Sequence, residues 1–210
     1  MGNSLASYLA SVPDQTGKVV VITGANSGLG LETSVVLAGK GATVVMACRN
    51  KSKAEDARQV VVARAKCPAQ RVVLATLDLA SLESVRAFRG EYVAAVGGEL
   101  PIDVFIANAG IMALPERQST SDGFEAQMGT NCFGHFALLA ELLGLIKSAR
   151  ASRVVFLSSG AHQLASTISF DDLDRRKRYD PWTTYSEASR HWRLRLRSPP
   201  RCRPSSSATI

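Results

Sequence analysis

With 210 residues, 46% of them hydrophobic, the chain can bury one large domain, which excludes a protein disordered throughout. Its net charge of +7 is unevenly placed: Arg190, Arg193, Arg195, Arg197, Arg201 and Arg203 all follow the last acid, Glu187, and subtracting them leaves +1 on residues 1–188. The body is near neutral, so no nucleic acid partner is expected for it. Cys48, Cys67, Cys132 and Cys202 show neither C-x-x-C spacing nor a nearby histidine pair, which argues for reduced thiols and against a zinc site or a disulfide framework. The sequence reads as lacking an apolar run of transmembrane length, and MGNSLASYLASVPDQ lacks the basic start and apolar middle of a signal peptide; a cytoplasmic location is expected. MGNSLAS is similar to a myristoylation signal except for Ala6, where Ser or Thr is usual.

Short β-branched runs alternate with longer helical patterns. GKVVVITG precedes the helical GLETSVVLAGKG, and TVVMAC precedes a charged helix from about Lys51 to Lys66. RVVLATLDL is followed by a helix from about Ser81 to Val96, and DVFIANAG by one from about Ser121 to Ser148; RVVFLSS is the fifth strand. Strands of this length separated by helices predict βαβ units and an α/β doubly wound parallel sheet of about five strands. Its ligand crevice is expected beyond the carboxyl ends of the strands. After Leu173 the pattern fades: DRRKRYDPW reads as a charged loop, and the helix signal from Thr184 lasts about two turns. The expected organisation is an N-terminal extension over 1–16, a domain over 17–188, and an Arg/Pro/Ser-rich disordered tail over 189–210.

Thr23-Gly24-Ala25-Asn26-Ser27-Gly28-Leu29-Gly30 follows the first strand and opens a helix. Glycines there let the backbone turn tightly and approach a pyrophosphate, which the unpaired N–H groups and positive end of the helix hold. The second strand ends in ACRN, with no acid for a ribose hydroxyl and with Arg49 suited to a 2′-phosphate, so NADP(H) is expected over NAD(H). The plainer alternative is that Arg49 is a solvated charge at the start of a helix.

Thr23-Gly24-x-x-x-Gly28-x-Gly30, with Asn108-Ala109-Gly110, Asn131, Ser158-Ser159 and Tyr185, resembles the short-chain dehydrogenase/reductase family. ACRN, NCFGHFALL, SSGAH and FDDL are most similar to its retinol-dehydrogenase-like and WW-domain-oxidoreductase-like branch. The resemblance covers about residues 17–188 and implies an NADP-dependent Rossmann oxidoreductase acting on a lipophilic alcohol, aldehyde or ketone. It also implies that Asp78 and Leu79 meet the adenine ring and that Asn108, Ala109 and Gly110 meet the nicotinamide ribose. Asn131 would be the tetrad asparagine whose carbonyl holds a relay water, Ser159 would bond the substrate oxygen, and Tyr185 would transfer the proton. A homodimer through the helix of Asn131 is a further implication.

A phenol of pKa ~10 needs a nearby cation to work as an acid or base near neutrality. The family places a lysine four residues after its tyrosine, but here that position is Ser189, and the last lysine is Lys177. Arg190 is displaced by about 100° around the helix. Activity is therefore expected to be impaired, and translation is expected to leave the ancestral frame near Ser189. The alternative is a non-catalytic dinucleotide-binding pseudoenzyme or interaction module; the arginine-rich arm as a nucleic acid or membrane binder is the least favoured reading.

Overall fold

The computed structural model of the chain describes residues 5–195. Five strands form one parallel sheet: β1 (Val19–Thr23), β2 (Thr43–Cys48), β3 (Val72–Thr76), β4 (Val104–Ala107) and β5 (Arg153–Phe156), in the order β3-β2-β1-β4-β5. β1 is central, with Val21 in register with Val45 on one side and Phe105 on the other. The helices are α1 (Leu5–Ser11), α2 (Gly28–Gly39), α3 (Lys51–Ala65), α4 (Leu82–Val96), α5 (Ala126–Ser148) and α6 (Pro181–Arg195).

Successive strand residues point to opposite faces, so a strand covered on both sides must be apolar throughout. All five residues of β1 are buried. Val19, Val21, Val45, Ala47 and Phe105 pack against Val85, Phe88 and Tyr92 of α4 and Leu138 and Leu142 of α5. Val20, Ile22, Val44 and Met46 pack on the other face against Ala38 of α2 and Ala54, Ala57 and Val61 of α3. Burying each of the larger side chains stabilises the fold by roughly 1.5–3 kcal/mol. β5, by contrast, pairs only with β4 among the described residues, and Val154 and Val155 are 38% and 42% exposed.

Four features differ from the sequence expectation. α5 begins at Ala126, not near Ser121, because residues 119–125 fold into a turn in which Thr120 N–H donates to the Phe124 carbonyl. Glu125 then caps the helix, accepting from the N–H groups of Gln127 and Met128 at 3.0 and 2.7 Å. α5 also corrects the expectation of no apolar run of membrane length: its 23 residues meet that length and hydropathy, since glycine, alanine and leucine dominate it. Its Leu138, Leu142, Leu145 and Ile146 belong to the core against the sheet. α6 starts three residues before Thr184, with Asp180 Oδ1 accepting from Thr183 N–H at 2.7 Å and Pro181 at the first helical position. It also runs past Ser189 to Arg195, so residues 189–195 of the expected disordered tail are helical. Arginine and leucine are strong helix formers, and the first breaker is Pro199. Residues 196–210, with Arg197, Arg201, Arg203 and Cys202, and residues 1–4 of the myristoylation-like start lie outside the described residues. Cys48 and Cys132 are buried, and Cys67 is half-buried.

Candidate active site

β1 delivers the chain into the glycine turn, where Gly24 and Gly28 take φ of +64° and +53°, a region that disfavours any residue with a Cβ. Gly24 and Gly30 are also held by space: a Cβ on Gly24 would sit 2.9 Å from the Ala109 Cα, and one on Gly30 2.5 Å from both Asn108 Nδ2 and the Gly24 carbonyl. Asn108 fills that space, donating from Nδ2 to the carbonyls of Thr23 and Gly24 at 2.9 and 3.3 Å. The turn is thus stitched to the end of β4 before any ligand arrives.

A cleft of about 740 Å³ opens beyond the carboxyl ends of the strands. Of the expected cofactor residues, Gly24, Asn26, Ser27, Leu29, Arg49, Asp78, Leu79, Asn108, Ala109 and Gly110 line it. Thr23, Gly28 and Gly30 shape its floor without lining the wall. Arg49 is exposed at its rim, next to Asn50, whose Oδ1 caps α3 by accepting from Lys53 N–H at 2.9 Å. Asp78 is committed to its own loop, with Oδ1 accepting from Ala80 N–H at 2.9 Å, so its side chain is already partnered. Cys48 also faces the cleft; burial pushes its thiol up, against the backbone N–H groups of Ala25 and Asn26.

The same cleft brings Asn131, Ser158, Ser159, Tyr185 and Ser189 together. Asn131 lies in a π-helical segment, Gly129–Gly134, and its side chain clamps the loop after β4: Oδ1 accepts from Ile111 N–H at 2.9 Å and Nδ2 donates to the Ile111 carbonyl at 2.8 Å. Gly110 packs so close that a Cβ would stand 3.4 Å from Asn131 Oδ1. The two serines are used differently. Ser158 Oγ donates to the Ser189 carbonyl at 3.0 Å, tying β5 to α6, while Ser159 Oγ accepts from Ala161 N–H at 3.2 Å. The Ser159 proton is left for an acceptor in the cleft.

Tyr185 is half-buried, its ring edge-on to Trp182 at 6.4 Å. One turn on, Ser189 forms part of the cleft wall at 7% exposure. Arg190 points elsewhere, its Nη1 donating to the Ala165 carbonyl at 2.7 Å, and it does not line the cleft. Lys177 is held by Asp171 on the surface. Arg49 is therefore the only cationic side chain among the described residues lining the cleft, and it stands at the rim on the β2 side.

Three supports were not legible as site residues. Gln127 is fully buried and joins Ala113 N–H, at 2.7 Å to Oε1, to the Pro181 carbonyl, at 3.1 Å from Nε2, so one side chain fixes the loop after β4 and the start of α6. Glu187, 3% exposed, pairs with Arg175 and accepts from Ser169 N–H and Oγ at 3.0 and 3.2 Å. His135, 1% exposed, reaches both Thr23 and the Asn131 carbonyl. Only the pairing of polar residues with apolar neighbours marked them, and that pattern does not name a partner.

A parallel sheet in this order, with a glycine turn at the central strand and the cleft at the reversal of strand order, defines a dinucleotide-type α/β protein. The short chain dehydrogenase family model matches residues 18–169, and the chain belongs to that family. Within it the chain is retinol-dehydrogenase-like. It is 43% identical over 183 residues to retinol dehydrogenase 14 of Homo sapiens, covering 82% of this chain and 53% of that protein. It is 45% identical over 163 residues to retinol dehydrogenase 12 of Mus musculus, covering 78% and 49%. The chain thus spans about half the length of these curated relatives. Among solved structures, an uncharacterized protein from Mycobacterium Paratuberculosis is 43% identical with a TM-score of 0.72, over 86% of this chain and 60% of that one. A short chain dehydrogenase from Shigella flexneri 2a str. 301 complexed with NADP shares the fold at 21% identity, with a TM-score of 0.64 over 86% and 70%.

Proposed function

We propose that the chain binds NADP(H) in this cleft and carries the site of a short-chain oxidoreductase for a lipophilic alcohol, aldehyde or ketone, with turnover impaired by serine at position 189. One observation carries the reading: a single cleft gathers the glycine turn, Arg49, Asn108 to Gly110, Asn131, Ser159 and Tyr185. Its fit to a dinucleotide rests on the glycine turn, whose Gly24, Asn26, Ser27 and Leu29 line the cleft, and on the N-terminus of α2 as a phosphate seat. Arg49 supports the 2′-phosphate form, because a guanidinium pairs with it in a fork.

When bound, the cofactor supplies the hydride chemistry. Ser159 would then donate to the substrate oxygen, and Tyr185 would hold the proton that moves to or from it. No cationic side chain stands beside Tyr185 among the residues lining the cleft, and loss of a positioned acid-base group typically slows turnover by ~10²–10⁴-fold. Ser189 also favours a second reading, a dinucleotide-binding module without catalysis. Exposed Phe136 and Leu143 on α5 support pairing of two copies through that helix.

NADPH fluorescence titration run beside carbonyl reduction tests both readings. Binding with slow turnover that rises in Ser189→Lys supports the first. Binding with no turnover in either protein supports the second, and absence of binding removes both.

A further inference from the structure

His135 is buried in the first turn after the π segment, and both ring nitrogens meet polar groups. Nδ1 lies 3.1 Å from the Asn131 carbonyl oxygen, and Nε2 lies 2.9 Å from Thr23 Oγ1. A carbonyl only accepts, so Nδ1 must carry the ring proton, and a neutral imidazole then leaves Nε2 as an acceptor. Burial pushes the His135 pKa down to about 4, which keeps the ring uncharged near neutrality, and the Asn131 carbonyl fixes its proton on Nδ1. The Thr23 hydroxyl must therefore send its proton to Nε2.

That choice determines what Thr23 can do on its other side. A hydroxyl has one proton and two lone pairs. With the proton on His135, both lone pairs are free for the backbone N–H groups of Asn108 and Ala109, each 2.9 Å from Thr23 Oγ1. These two amides begin the loop that lines the cleft after β4. The other acceptor within reach of the hydroxyl is the Ile106 carbonyl at 3.5 Å, and turning the proton there would draw the lone pairs off the two amides.

We infer that His135 is a positioning residue for the cofactor cleft: by taking the Thr23 proton it aims that hydroxyl at the Asn108 and Ala109 amides, and through Nδ1 it joins them to the Asn131 carbonyl. Its effect on ligand binding rests on the NADP(H) reading above; its effect on the two amides does not. The two arms also separate by side-chain length. Glutamine at 135 reaches the Thr23 hydroxyl with its amide oxygen, asparagine reaches only the Asn131 carbonyl, and leucine reaches neither.

The test combines amide hydrogen exchange of the ligand-free protein with NADPH titration. In His135→Leu, exchange at Asn108 and Ala109 should quicken about tenfold and NADPH should bind about tenfold more weakly, as expected for one misdirected buried hydrogen bond. The amides of Val45 and Met46 in β2 should be unchanged, and His135→Gln should match the wild type in both measurements. Unchanged exchange at Asn108 and Ala109 in the leucine variant overturns the inference, as does equal loss in the leucine and glutamine variants. If the wild type binds no NADPH, the cofactor reading fails while exchange still decides the role of His135. If the leucine variant does not fold, His135→Asn must lose protection where His135→Gln keeps it, and the reverse order overturns the inference.

Discussion

The two sides of the cleft are built from different materials. The glycine turn, β2 and β4 stand on strands whose inward residues have almost no exposure, and Asn108 and Thr23 tie them together by hydrogen bonds within 3.3 Å. The side bearing Ser159 and Tyr185 rests on β5, an exposed edge strand, and on α6. Polar straps hold that side: Glu187 to Arg175 and Ser169, Arg190 to Ala165, and Ser158 to Ser189. Local stability follows buried apolar contact, so the cofactor side should open only with global unfolding and the tyrosine side well before it.

The largest effect is expected at the shared wall. Phe105→Ala removes a fully buried ring that meets Phe156 edge-on at 6.5 Å, and should cost about 3–5 kcal/mol in urea unfolding. Glu187→Ala leaves the Arg175 guanidinium buried without its carboxylate and should cost about 3 kcal/mol. The comparison predicts where that loss falls: amide exchange should quicken along α6 and leave β1 and β2 unchanged. Uniform quickening would show that the two sides form one cooperative unit.

Acid should also separate the sides. The His135 pKa is about 4 folded against 6.5 in the unfolded chain, so between these values the unfolded state binds more protons. Stability is then fully present above about pH 6.5 and is lost as pH falls toward 4, by about 3 kcal/mol at ~1.4 kcal/mol per unit. Urea unfolding at pH 7 and pH 5 measures it, and His135→Gln should flatten the slope. Arg49→Glu should weaken NADPH binding about tenfold or more relative to NADH, since a charge-assisted bond is worth about 1.5–3 kcal/mol. The smallest effect is Val155→Thr on the exposed edge, within about 0.5 kcal/mol; a larger loss would mean that β5 is covered in solution.

The strands and the glycine turn were legible because their signals are local: continuous apolar runs for strands buried on both faces, and glycines where backbone comes closer than a Cβ permits. The start of α6 was misjudged because its signal was an Asp180 cap followed by Pro181, which also reads as a loop. Its continuation past Ser189 was missed because alternating arginine and leucine carries no amphipathic pattern, although both residues favour helix. Asn131 and Ser159 were found as cleft residues, but that Asn131 clamps Ile111 and Ser159 caps Ala161 could be seen only once their neighbours were placed.

By itself the sequence determined that the chain is a doubly wound parallel sheet with a glycine turn after its first strand, and that serine stands one turn after Tyr185, since each follows from residues close together in the chain. Only the tertiary structure decided that Arg190 turns to Ala165 and away from the cleft, that Ser189 forms its wall, and that His135 meets Thr23, 112 positions before it in the chain, and joins it to the Asn131 carbonyl. The physical reason is that a polar side chain can bond in several directions, and which one it takes depends on partners that folding brings from distant strands and helices.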